Sequence, residues 1–157
     1  MAFSYNTQTI LSNERKLVVQ FRAKTDGTAS LSPVDVIDPT DYTSTEGNAC
    51  SFVTIDRVWA SNAGGCITQL FWQSTNDYLI AAYGNTGSTS SSYFNDFTIG
   101  NWGGLKPPTL GGTTITANTD GVLAGSGTPD GKIQIGVTGV SSSDAVSVII
   151  EVTKHYA

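Results

Sequence analysis

Two stretches of alternating apolar and polar residues, one near each end of the chain, constrain the fold more than anything else in the sequence. In Ala145–Lys154, Val146, Val148, Ile150 and Val152 fall on one side at period two. Ser147, Glu151 and Thr153 fall on the other, where Ile149 is the exception. In Lys16–Lys24, Leu17, Val19, Phe21 and Ala23 share one face, while Gln20, Arg22 and Lys24 share the other. Alternation of this kind, rich in β-branched residues, marks a half-buried strand. Two such strands near the termini predict a sheet that brings the ends of the chain together.

The residues between them read as further strands and polar turns. Thr25-Asp-Gly-Thr28 ends the first strand. Ala29–Leu31 and Val34–Ile37 are strands separated by Ser32-Pro33, where Pro33 lacks a ladder donor and so marks an edge or a strand start. Residues 38–49 form a loop with one helical turn, capped by Asp41. Cys50–Ala60 is a strand with Val53, Ile55 and Trp59 on one face and Phe52 and Val58 on the other. It is expected to form a hairpin around 62–65 with Ile67–Gln73, a central strand covered on both sides. Strands follow at Asp77–Tyr83, Tyr93–Ile99 and Lys132–Thr138, with short ones at Thr113–Ala117 and Val122–Leu123. The Ser/Thr-rich segment 84–92 is an exposed loop tip. Roughly eight to ten strands at intervals of about ten residues, without an amphipathic helix, predict an all-β single-domain antiparallel β-sandwich, jelly-roll-like or Greek-key. The expected division is an N-terminal arm or edge strand over 1–15 and a sandwich over 16–157.

At 157 residues the chain is long enough to bury a core without metal or disulfide staples. Only 13% of its residues are charged, against about 25% in typical domains. Ser, Thr, Gly and Asn take their place, giving a surface suited to being covered by partners. The net charge is −5 and the basic residues are scattered, so no footprint for nucleic acid is present. No apolar window of about 18 residues predicts a membrane span. The first residues lack the basic and apolar regions of a signal peptide. Cys50 and Cys66 are expected as two small buried thiols rather than a disulfide.

The catalytic inventory is thin. His155 is the only histidine and lies near the C-terminus, so a Ser-His-Asp or Cys-His system would have a single base in a poorly anchored place. No CxxC or HxxxH spacing prepares a zinc site. Asp35, Asp38 and Asp41 recur every third residue, as calcium ligands can, but each also has an ordinary place in a strand or turn. No glycine pattern fits a nucleotide loop. The expectation is a non-enzyme with no catalytic residues, no cofactor and no metal.

Two features point to a partner. Most aromatic residues are expected in the core, but Trp102, in a turn-rich Gly-Asn-Trp-Gly-Gly, is the best candidate to stand exposed and meet a sugar ring or a protein. In the N-terminal arm, Phe3, Tyr5, Ile10 and Leu11 lie among Ser, Asn, Thr and Gln. Phe3 and Tyr5 can face one way along an extended strand. Either the arm adds to the edge of a neighbouring subunit or capsid, or it pairs with the chain's own final strand.

Several separated pieces together resemble a family. They are Val18-Val-Gln-Phe with Thr25-Asp-Gly-Thr28, Val34-Asp-Val36, Val53-Thr-Ile-Asp-Arg-Val-Trp59, Ile67-Thr-Gln-Leu-Phe-Trp72, Asp130-Gly-Lys-Ile-Gln-Ile135, and the closing run Ser143–Lys154. Their order is similar to that in small β-sandwich structural proteins of tailed bacteriophages, of the decoration or cement type, in the marine and cyanobacterial phage group. Gly131-Lys132 and the long segment 84–92 depart from the usual pattern. The resemblance implies a non-enzymatic virion protein, made in the host cytoplasm and placed on the capsid surface, whose partners are the major capsid protein or other virion proteins. It supplies no catalytic residue. A head–tail or tail component is the alternative within the virion, and a carbohydrate-binding module for surface adhesion is the alternative outside that class. A homo-oligomer is expected, a trimer by preference, because capsid lattices offer three-fold positions.

Overall fold

The alternating stretches form the strands that their period demands, and the two terminal ones pair with each other. The computed structural model describes residues 3–25, 30–84, 90–99, 103–107, 130–139 and 144–156. Among these residues nine strands follow in order: β1 (Phe3–Ser12), β2 (Lys16–Thr25), β3 (Leu31–Ile37), β4 (Cys50–Ala63), β5 (Ile67–Trp72), β6 (Tyr78–Gly84), β7 (Ser90–Asp96), β8 (Ile133–Thr138) and β9 (Ala145–Tyr156). The strands expected at Thr113–Ala117 and Val122–Leu123 lie outside the described residues.

The pairing explains the architecture. β2 pairs with β9, β3 with β8, β4 with β7 and β5 with β6, all antiparallel. That is the pattern of one long hairpin, with β2 to β5 running out and β6 to β9 running back. Rolling the hairpin up pairs β4 with β9 and β5 with β8 as well. The products are two sheets, ordered β1-β2-β9-β4-β7 and β3-β8-β5-β6. The fold is therefore an antiparallel β-sandwich wound as a jelly roll, with β1 added at one edge.

The core lies between the sheets. Leu17, Phe21, Ile55, Leu70, Trp72, Ile135, Val148 and Ile150 are all buried there, as the period-two faces require. Cys50 and Cys66 are buried free thiols, and burial raises the pKa of each. Pro33 sits in β3, an edge strand, where its missing donor is harmless.

Five expectations need correction. First, β4 and β5 are not a hairpin: β4 belongs to the five-stranded sheet and β5 to the four-stranded one. The chain turns a corner between sheets at Gly64–Cys66, where buried Asn62 supplies bonds that a ladder would otherwise give. Second, Trp59 does not share a face with Val53 and Ile55. The register shifts between Ile55 and Arg57, so Asp56 is an inserted bulge residue. Beyond it Val58 and Ala60 turn inward and Trp59 turns out. Third, the arm pairs with β2, the first strand of the roll, not with the final strand; β9 is already flanked by β2 and β4. Fourth, Asp38 rather than Asp41 caps the single 3-10 turn at Pro39–Asp41, accepting from the Thr40 N–H. Fifth, β5 is interior to its sheet, but Ile67, Gln69 and Phe71 on its outer side are only half-buried.

The seventh strand also starts earlier than expected, so Ser90–Ser92 lie in the ladder against Ser61–Ala63. Across the sandwich, Tyr83 of β6 packs against Tyr93 of β7, with ring centroids 5.8 Å apart. The Tyr83 hydroxyl is buried and has no hydrogen-bond partner among the described residues. Burial pushes its pKa up to about 12. The folded state therefore keeps this proton where the unfolded chain gives it up, at about pH 10. Stability is unaffected below that pH and declines as pH rises from there through the folded value. Tyr83→Phe should remove this alkaline decline. At neutral pH it should leave stability unchanged or raise it by about 1 kcal/mol, because an unpaired buried hydroxyl is a cost. Urea denaturation of both proteins at neutral pH and at high pH measures the two effects; a loss at neutral pH would show that the hydroxyl is satisfied.

Candidate partner-binding surface

The outer face of the five-stranded sheet is built by cross-strand rows, and the rows differ in chemistry. The central row runs Gln8, Gln20, Ile149, Trp59, Phe94 from β1 to β7. Ile149, the one apolar residue on the polar face of its strand, lies directly opposite Trp59. Trp59 is 38% exposed and Phe94 54%, and their rings stand 5.3 Å apart. Bulky apolar side chains left uncovered beside one another are costly unless something else covers them.

On one flank lies a charged row. Lys16 Nζ donates to Asp56 Oδ2 at 2.5 Å and stands 3.6 Å from Glu151 Oε1. Thr153 Oγ1 donates to the same Asp56 oxygen at 2.6 Å. Arg57 bridges Glu151 at 2.9 Å and Asp96 at 3.4 Å. Asp96 also accepts from the Thr98 hydroxyl and N–H. These bonds, the hydroxyl first and Arg57 later, hold its carboxyl below the usual carboxylate range. Plus and minus alternate along the row, so it presents little net field to a partner. On the other flank is a row of Ser147, Ser61 and Ser92.

The bulge also decides what covers this face. Asp56 turns to the outer side yet is buried, bonded to Lys16 and Thr153 and closely approached by Gly104. Leu105 exchanges both backbone hydrogen bonds with Ile55, at 2.8 and 2.9 Å. Gly104 passes so close that a Cβ there would meet Asp56 Oδ1 and Thr54 Cβ. Beyond the end of β7, Phe97, Ile99 and Leu105 line an open apolar depression, and Ile99 is 70% exposed.

The residues singled out from sequence are scattered around this face. Phe3 is buried in the protomer's own core, opposite Thr25, and so leaves the set of interface candidates: β1 pairs along β2 and carries it there. Tyr5 is on the same side of β1 but 51% exposed, stacked on Phe21 at 5.9 Å. The five-stranded sheet is wider than its four-stranded partner, and nothing described lies over Tyr5. Ile10 occupies a register shift between Thr9 and Leu11, and Leu11 lies beside Val18; both are exposed. Trp102 lies outside the described residues. Trp59, Phe94 and Ile149 were missed as a group. The single signal available was Ile149 breaking its strand's alternation.

His155 stacks on Phe52 at 4.5 Å and lies 3.1 Å from Thr54. Burial, with Lys106 and Arg15 nearby, lowers its pKa. Its contacts pack and anchor the end of β9. Asp35 and Asp38 share Lys132, each at 3.6 Å. Among the described residues no group of three His, Cys, Asp or Glu side chains is arranged to hold a metal ion.

No protein-family model matches the chain, and no curated protein matches it. Among solved structures, a chain in a cryo-EM structure of Mud Crab Dicistrovirus is 12% identical, covering 97% of this chain and 70% of that one, with a TM-score of 0.28. A chain of an unassembled VP1 pentamer of Washington University Polyomavirus, a point mutant, is 9% identical, covering 98% and 77%, with a TM-score of 0.21. Likenesses this remote carry no weight for fold or role.

Proposed function

We propose that this protein is a non-enzymatic structural component of a virion, a decoration protein that binds the head of a tailed phage and stabilises it. The observation that carries the reading is the exposed Trp59–Phe94 pair, continued by half-buried Ile149 in the same cross-strand row and flanked by self-neutralised charges and by serines. Such a face suits docking against another protein: aromatic anchors at the centre and a polar rim around them. The low charge of the whole chain and the resemblance of its short sequence pieces to those of phage structural proteins support the same reading. Jelly rolls also build lectin domains, so fold alone does not choose. Stabilisation would come from interface area added between capsid subunits, with the major capsid protein as partner and no chemistry required.

Trp59→Ala combined with Phe94→Ala should reduce binding to particles by about a hundredfold or more, since central aromatic anchors cost about 2 kcal/mol or more each. The thermal midpoint of the free protein should change little. Quantitative mass spectrometry of purified particles should find hundreds of copies per head. Around a dozen copies would move the protein to the tail or connector, and binding to immobilised glycans but not to particles would favour the carbohydrate-binding alternative.

A further inference from the structure

Sheet edges expose unpaired backbone donors and acceptors, and natural proteins protect them with charge, proline, bulges or cover. The edges of this sandwich are β1 and β7 in one sheet and β3 and β6 in the other. β3 carries Pro33, Asp35 and two register shifts. β7 ends in Asp96, which is tied to Arg57. β6 is uncharged but short, and all its side chains except Ala82 are at least half-buried. β1 has no comparable protection along most of its length. It is ten residues long and contains no charged residue and no proline. Every residue after Phe3 is exposed, and its one register shift, at Ile10, leaves Phe3–Thr9 regular.

We propose that β1 is the self-association edge of this protein: two copies pair antiparallel through β1 about a two-fold axis and join their five-stranded sheets into one. Charge selects a second copy as the occupant. Across a two-fold axis a strand meets itself, so any charge near the axis faces its own counterpart; a strand without charge meets no such repulsion. A different partner would leave room for the complementary charges that give specificity, and β1 offers none. The pairing also covers Tyr5. That ring extends the core seam beyond the width of the four-stranded sheet, and in the dimer it lies against Thr7 and Thr9 of the other copy. This two-fold dimer is an alternative to the three-fold oligomer expected from sequence. It does not depend on what the outer sheet face docks against.

The test uses the full chain in sedimentation velocity over a range of concentrations at low salt. Thr7 is exposed, lies near the centre of the regular segment and faces uncharged Phe21 within its own copy. Thr7→Lys and Thr7→Glu should each weaken dimerisation by at least about tenfold through like-charge repulsion. An equimolar mixture of the two should recover it, which damage to β1 would not allow. In the wild-type protein, amide exchange over Ser4–Thr9 should slow as concentration rises through the dimerisation range, a readout that needs no variant. A wild-type protein monomeric at all concentrations, an oligomer indifferent to both charges, or a weakened pair not restored by mixing overturns the proposal.

Discussion

Asn62→Ala is expected to lower the free energy of unfolding by on the order of 3–5 kcal/mol, because it leaves several buried polar groups short of a partner at once. Asn62 is 2% exposed and stands where the chain leaves the five-stranded sheet for the four-stranded one. Its side-chain amide donates to the carbonyls of Cys66 at 3.1 Å and Tyr83 at 2.9 Å, and its oxygen accepts from the Thr68 hydroxyl at 2.8 Å. Alanine removes all three bonds. Asn62→Asp should be equally damaging, since it keeps the shape but turns a carboxylate oxygen towards carbonyl oxygens. Gly84 forms the wall of the same corner. Its φ is +124°, and any Cβ would collide with the Cys66 carbonyl and the Asn62 amide, so Gly84→Ala should unfold the corner as well. Urea denaturation measures each variant; a loss below about 1 kcal/mol for Asn62→Ala, with unchanged m, would mean that the corner is held by something else.

Ile150→Ala should cost about 2–5 kcal/mol, the range for deleting a large aliphatic side chain from a packed core. Ile150 is fully buried on β9, between Val19 of β2 and Val58 of β4. Both neighbours are fixed in ladders and cannot collapse into the space. Its neighbour Ile149 faces the other way, towards Trp59. Ile149→Ala should therefore cost about 1 kcal/mol or less in stability, as is usual outside the core, while weakening binding to particles. Chemical denaturation of the two variants separates the faces of the strand. Equal losses would mean that both faces of β9 are core.

Period-two alternation was enough to place β2 and β9, to pair the two ends of the chain, and to name the core. Leu17, Phe21, Val148 and Ile150 are buried because a strand with one apolar face has only one way to hide it. Proline at 33 marked an edge for the same local reason. The residues of the surface were less legible. Trp59 reads as core by its spacing from Val53 and Ile55, and one inserted residue, Asp56, reverses it. That bulge is held by Lys16, Thr153 and Leu105, all distant in sequence. Phe3 and Tyr5 share a side of β1, as alternation requires, yet one is core and the other exposed. Sequence determined which side each residue of a strand faces and how strongly that side must be hidden. Tertiary structure decided which sheet each strand joined, where the register slipped, and which outward faces stayed uncovered, because those depend on contacts closed between residues far apart in the chain.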